Sequence, residues 1–215
     1  MARDVVITGI GLASSLGEGV ETHAQALASG TAPVIDNQSF APYPLHPLKT
    51  LELDKQIPKK SDQRQMEPWQ RLGVYAAGLA LDDAGLKEDA EAKSQLQVIV
   101  AAGGGERDHA VDAAILTGLR NANQPGAFLN ERLMSDLRPT LFLAQLSNLL
   151  AGNIGIVHGI TGASRTLMGE EQAGVDAIRT ARARIAAGQA DTILVGGAYN
   201  AERRDMLLLL ELGGF

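Results

Sequence analysis

At 215 residues, 45% of them hydrophobic, the chain is long enough to bury a large core and to form a soluble protein of one or two domains. Its net charge of -6 argues against a nucleic-acid footprint, and the absence of cysteine excludes disulfides, cysteine metal sites and thiolate catalysis by this chain. The apolar stretch at residues 206–210 falls far short of the roughly 20 residues that span a bilayer. The N-terminus lacks the basic-then-apolar layout of a signal peptide, so the expected location is the cytoplasm, with no membrane insertion.

The chain opens with a β-branched apolar run at residues 4–8, followed by Gly9-Ile10-Gly11, which predicts a buried strand and a turn. Residues 18–29 predict a helix stopped by Gly30. Residues 31–65 hold Pro33, Pro42, Pro44, Pro47 and Pro58 without sustained periodicity and read as an irregular surface excursion with short pieces of structure. A strong helix follows over 68–84, where Leu72, Tyr75, Ala76, Leu79 and Ala80 recur at helical spacing and Gly85 ends it.

Residues 96–102 predict a strand running into Gly103-Gly104-Gly105. Three glycines allow positive φ and close approach of a backbone or ligand, although no Lys-Ser/Thr follows as a phosphate loop requires. Residues 109–118 and 141–150 read as helices, 154–159 and 192–197 as short strands, and 171–187 as a helix closed by Gly188. Arg179, Arg182 and Arg184 on that helix read as a solvated basic face. Strands separated by helices predict an α/β layered fold on a mixed or parallel sheet. The final run, Met206-Leu-Leu-Leu-Leu-Glu-Leu, is apolar and calls for burial against a later segment or a partner. His23, His46, His109 and His158 show no metal-ligand spacing. Ser164-Arg165-Thr166 is no Gly-x-Ser-x-Gly elbow.

Several of these segments, in order and spacing, resemble the type II β-ketoacyl-acyl-carrier-protein synthases of fatty-acid and polyketide synthesis. The segments are Arg3-Asp-Val-Val-Ile-Thr-Gly-Ile-Gly-Leu-Ala-Ser-Ser-Leu-Gly17, Ala84-Gly-Leu86, Asn148-Leu-Leu-Ala-Gly-Asn153 and Ala187-Gly-Gln-Ala-Asp-Thr-Ile-Leu-Val-Gly-Gly197. The resemblance implies a thiolase-like fold of two similar βαβαβ halves. Residues 1–215 would be the N-terminal half with loop and helix insertions, and the half that carries the family's catalytic histidines and lysine has no counterpart in the chain.

In that family the first half supplies a nucleophilic cysteine at the start of a buried helix, where the helix dipole favours a thiolate. A gapless match on Gly174-Val175-Asp176 and Gly188-Gln-Ala-Asp191 puts Glu171 at that position, and a shift of one residue puts Gln172 there. Neither can carry an acyl group by this exchange. Acidic residues in a first helical turn also serve the helix dipole by roughly 0.3–1 kcal/mol each. Adjacent Glu170 and Glu171 diverge by about 100° and do not converge on one substrate atom.

The pattern Glu-Gln-Ala-Gly resembles the chain length factors, ketosynthase-like subunits that lack the cysteine and pair with an active ketosynthase. By the same resemblance, Gly104 stands where an acyl-pocket residue is usually bulky, with Phe128 a candidate to fill the space. Thr140, Leu141 and Phe142 fall in the pocket-lining run.

The expectation is therefore a nucleophile-less member of this family, an accessory subunit that binds acyl carrier protein and forms a homodimer or a heterodimer with a cysteine-containing ketosynthase. No cofactor is implied. Two alternatives stand beside it: a malonyl-carrier decarboxylase, and a carrier-protein binding module without chemistry.

Overall fold

The computed structural model describes residues 3–105, 107–137, 145–169 and 172–214. Its centre is a three-stranded parallel sheet in the order β4-β3-β5, with β3 Gln97–Ala102, β4 Ser164–Leu167 and β5 Ile193–Ala198. Val98 pairs with Ser164 on one side and Leu194 on the other, and Ala101 with Leu167 and Gly197. A separate two-stranded hairpin, β1 Ala13–Ser14 and β2 Gly17–Glu18, precedes α1 Val20–Ser29, which ends on Gly30 in the left-handed region.

Strand β3 serves both faces of the sheet because its side chains alternate. Val98, Val100 and Ala102 join one core with Val74, Tyr75, Ala77 and Leu81 of α3 (Pro68–Asp83) and Leu150, Ala151 and Ile154 of a later helix. Ile99 faces the other way, onto Ala177 and Ala181 of the helix that links β4 to β5. The result is a helix, sheet, helix sandwich.

The predicted helix over 68–84 forms as α3. Glu67 and Gln70 close a capping box at its start and Pro68 occupies its first turn, where a missing N–H costs nothing. Within it, Gly78 leaves room for Gln56 and His158, since a methyl built there would stand 2.2 Å from Gln56 Oε1 and 2.8 Å from His158 Cε1. Buried His158 donates from Nε2 to the Val74 carbonyl at 2.8 Å, and desolvation holds its pKa below the ordinary value. The irregular excursion over 31–65 holds an isolated antiparallel bridge between Asp36 and Leu45, a 3₁₀ turn at Leu53–Lys55 and α2 Lys60–Gln65.

Three predicted elements differ. Residues 4–8 are no strand: Val6 and Ile7 are 75% and 80% exposed, and the chain enters its first ladder only at Ala13. The segment lies against α3 instead. The Ile10 amide donates to Asp83 Oδ2 at 2.8 Å, and methyls built on Gly9 and Gly11 would stand 2.6 and 1.9 Å from the carbonyls of Ala80 and Ala76. Contact this close is available only to glycine, so the two glycines specify a helix contact rather than a turn after a strand.

Residues 154–159 belong to a helix, α7 Leu149–His158, closed by Gly159 at φ 72°. Continuous apolar runs are compatible with either period, and Gly159 supplies the helical C-cap. Of the helix expected over 141–150, residues 141–144 lie outside the described residues, and 145–148 precede α7. The glycine triplet is the third difference. None of Gly103, Gly104 and Gly105 has positive φ, and methyls on Gly103 and Gly104 would meet nothing within 4 Å.

Four further elements complete the described chain: α4 Ala90–Gln95, α5 His109–Asn121, α6 Pro125–Ser135 and α8 Gln172–Ala186. The apolar C-terminal run forms α9 Arg204–Leu212, with Leu208, Leu209, Leu210 and Leu212 exposed. No described helix is long and apolar enough to cross a membrane.

Candidate active site

Because β3, β4 and β5 run parallel and in register, their carboxyl ends share one edge of the sheet, the edge at which open α/β sheets bind ligands. Three connections leave from it. Gly103-Gly104-Gly105 leads from β3 toward α5, Met168 and Gly169 lead from β4 toward α8, and Tyr199 and Asn200 follow β5.

The β4 to α8 connection is where a helix-start nucleophile would stand. Gly169 has φ 142°, a conformation that L side chains rarely adopt, and this lets the chain reverse from strand to helix. Glu170 and Glu171 lie outside the described residues. Gln172 is the first residue of α8 and is exposed. Behind it, Ala173 is buried and Ala177 packs on Ile99 of β3, so the start of the helix, with its partial positive charge, lies at the carboxyl edge. Such a terminus favours negative charge developing on a bound group, but the connections hold no thiol. Between β3 and α5, β4 and α8, and β5 and α9, the sequence offers one hydroxyl, the phenol of Tyr199. Those three connections hold no serine, threonine or cysteine.

Gly104 lies exposed just past the end of β3. Phe128 does not fill the space there. Its ring packs over Gly118, where a built methyl would stand 2.3 Å from Cζ, and Arg132 stacks on it at 5.3 Å from the centroid. Thr140, Leu141 and Phe142 lie outside the described residues.

The reading of residues missed a charged cluster beside the glycine turn. Arg203 donates to both carboxylate oxygens of Asp205, at 3.1 and 2.5 Å, and to the Gly105 carbonyl at 3.2 Å. His109 Nε2 lies 3.4 Å from Asp205, and the Arg203 hydrogen bonds hold the Asp205 carboxyl below the usual carboxylate range. Arg107 grips Asp112 in a two-pronged pair at 2.6 and 2.7 Å, which lowers the Asp112 pKa and raises that of Arg107. These carboxylates are paired anions rather than proton donors near neutrality. The signal was present as Glu202-Arg203-Arg204-Asp205, four charges in a row between a strand and an apolar helix.

The histidines stay apart. His23 bridges Ser14 Oγ and the Gly19 carbonyl, His46 contacts the Val34 carbonyl, and His158 is buried at α3. Among the described residues no three His, Cys, Asp or Glu side chains gather as metal ligands. The basic face of α8 is partly solvated: Arg179 pairs with Asp176 on the surface, while Arg184 turns inward to Gln97.

A parallel sheet flanked by helices, with a glycine-led connection into α8 at its carboxyl edge, is an architecture of the condensing-enzyme type. Residues 2–211 match the family model of the beta-ketoacyl synthase N-terminal domain, and the chain belongs to that family. It is 28% identical over 204 residues to 3-oxoacyl-[acyl-carrier-protein] synthase 2 of Vibrio cholerae, a match that covers 93% of this chain and 46% of that protein. The ishigamide ketosynthase/chain length factor structure superposes with a TM-score of 0.75 at 26% identity, over 100% of this chain and 51% of that one. A type II polyketide synthase acyl-carrier protein in complex with its ketosynthase bound to the hexaketide, AntDE:AntF, gives 0.74 at 21% identity, over 98% and 55%. The fold is therefore the thiolase-like fold of ketosynthases, and the chain spans about half the length of the curated relatives it matches.

Proposed function

We propose that the protein is a nucleophile-less ketosynthase-family subunit of fatty-acid or polyketide synthesis. It works in the cytoplasm, pairs with a cysteine-containing ketosynthase, receives acyl carrier protein and shapes the acyl site of its partner. Residues 1–215 act as the N-terminal β-ketoacyl synthase domain of this subunit. The observation that carries the reading is a chain without cysteine whose sequence has Glu171 directly before Gln172, the first residue of α8. The similarity to a ketosynthase/chain length factor structure supports it. Gly104, exposed just past the end of β3, and Thr140, Leu141 and Phe142 are the positions assigned to the acyl pocket by the resemblance.

The test is a malonyl-carrier condensation and decarboxylation assay with the protein alone, with a cysteine-containing ketosynthase alone, and with both. Condensation product whose chain length changes only in the mixture is the expected result. Condensation by the protein alone refutes the reading. Decarboxylation alone would establish the decarboxylase alternative, and carrier binding with no effect on any ketosynthase would establish the binding module.

A further inference from the structure

Residues 202–204 make contacts in two directions. Arg203 has extended backbone, φ -135° and ψ 121°, so its side chain leaves on the opposite side from those of its neighbours. Arg203 reaches the glycine turn, through the Gly105 carbonyl and Asp205. Glu202 accepts from the Leu48 amide at 2.7 Å. Arg204 donates to the Ser39 carbonyl at 2.8 Å and lies 5.3 Å from the centroid of the Phe40 ring. Both of these partners belong to the excursion early in the chain, more than 150 residues away in sequence.

The excursion is itself closed into a unit. Asp36 and Leu45 exchange both backbone hydrogen bonds, at 2.8 and 3.0 Å, and the Asp36 carboxylate accepts from the amides of Gln38 and Ser39. Glu202 and Arg204 hold this unit at two points. On the other side, the Gly105 amide donates to the Gln145 carbonyl at 3.2 Å while its carbonyl is held by Arg203. Gly103 and Gly104, where a built methyl would meet no described atom within 4 Å, join these grips to the end of β3.

We propose that Glu202-Arg203-Arg204 is a positioning clamp that locks the glycine turn and the excursion 36–48 to each other, so that the two move together as one wall of the carboxyl edge. Hydrogen bonds from three consecutive residues, at 2.7, 3.2 and 2.8 Å, leave little slack between the two grips. Release of Arg203 frees the extended segment that orients Glu202 and Arg204, and the excursion loosens with the turn. The clamp is independent of the function proposed above and concerns how the edge is shaped, whatever it binds.

Amide hydrogen exchange on the whole chain tests it, with Gly105 and Leu48 as the two reporters. R203Q deletes contacts to the turn and touches nothing in the excursion. Faster exchange at both amides, by about tenfold as for one lost hydrogen bond to a charged group, with Val98 to Val100 of β3 unchanged, is the expected result. Acceleration at Gly105 alone, or equal acceleration through β3, would overturn the clamp. R203K retains the charge but loses the two-pronged grip on Asp205, and smaller paired accelerations are expected for it. It keeps the test open if R203Q does not fold.

Discussion

Replacing Gly11 by alanine tests whether the N-terminal segment is held by the helix it crosses. The new methyl would stand 1.9 Å from the Ala76 carbonyl oxygen and 2.6 Å from the Ala80 amide nitrogen, both backbone atoms of α3 that cannot rotate aside. Relief to ordinary contact near 3.4 Å needs the segment to retreat by more than an ångström, which breaks the bond from the Ile10 amide to Asp83. A hydrogen bond to a charged group is worth about 1.5–3 kcal/mol and overpacking typically costs about 1–3 kcal/mol, so a loss of roughly 2.5–6 kcal/mol is expected. For a chain of this size each kcal/mol moves Tm by about 2–4 °C. Gly104→Ala serves as the control: its methyl meets nothing within 4 Å and its φ is not positive, so stability should hold or rise by about 0.4–1 kcal/mol. Urea titrations of both variants give the comparison. Equal stability of Gly11→Ala and the parent would refute the idea that close backbone contact fixes the segment.

Three other outcomes are expected. His158 has its pKa depressed by burial, so between that value and 6.5 the unfolded chain binds more protons than the folded one, and stability falls as pH drops through this window. His158→Gln should flatten that slope in urea titrations from pH 7 to 5, and an unchanged slope would reassign it. A thiol placed by Gln172→Cys, at the start of α8, should ionise below the ordinary value near 8.5, seen as alkylation that persists at lower pH than for a thiol at the exposed position 208; equal profiles would deny the helix start any influence. Leu150→Ala, at a side chain with no exposure between α3 and the sheet, should cost about 2–5 kcal/mol in urea titrations; a cost under 1 kcal/mol would show that the core collapses around the gap.

How much could be read from residues alone varied with the kind of signal. Helix α3 was legible because periodicity, Pro68 and Gly85 agree. Strand β5 was legible because Ile193, Leu194 and Val195 form a short apolar run bounded by Gly196-Gly197. Strand β4 was not, since Ser-Arg-Thr-Leu is four residues of mixed polarity at a sheet edge and carries no periodic signal. The N-terminal apolar run was misread because its glycines contact a helix far along the chain, which no local pattern announces. The absence of cysteine was plain from sequence, whereas Leu48 with Glu202 and Gly105 with Arg203 meet only in the folded chain.

The pair Ala177 and Ala181, packed with Ile99, Leu167, Ile193 and Val195, has a consequence for how such a site can vary. Those two methyls act as a shim, fixing how far α8 stands off the sheet and hence how far its first residue, Gln172, sits from the ends of the strands. Any larger side chain in the pair would lift the helix and carry position 172 outward with it. The side chain at the helix start can therefore change in kind without disturbing the core, while its place in space stays hostage to the thinnest layer of that core.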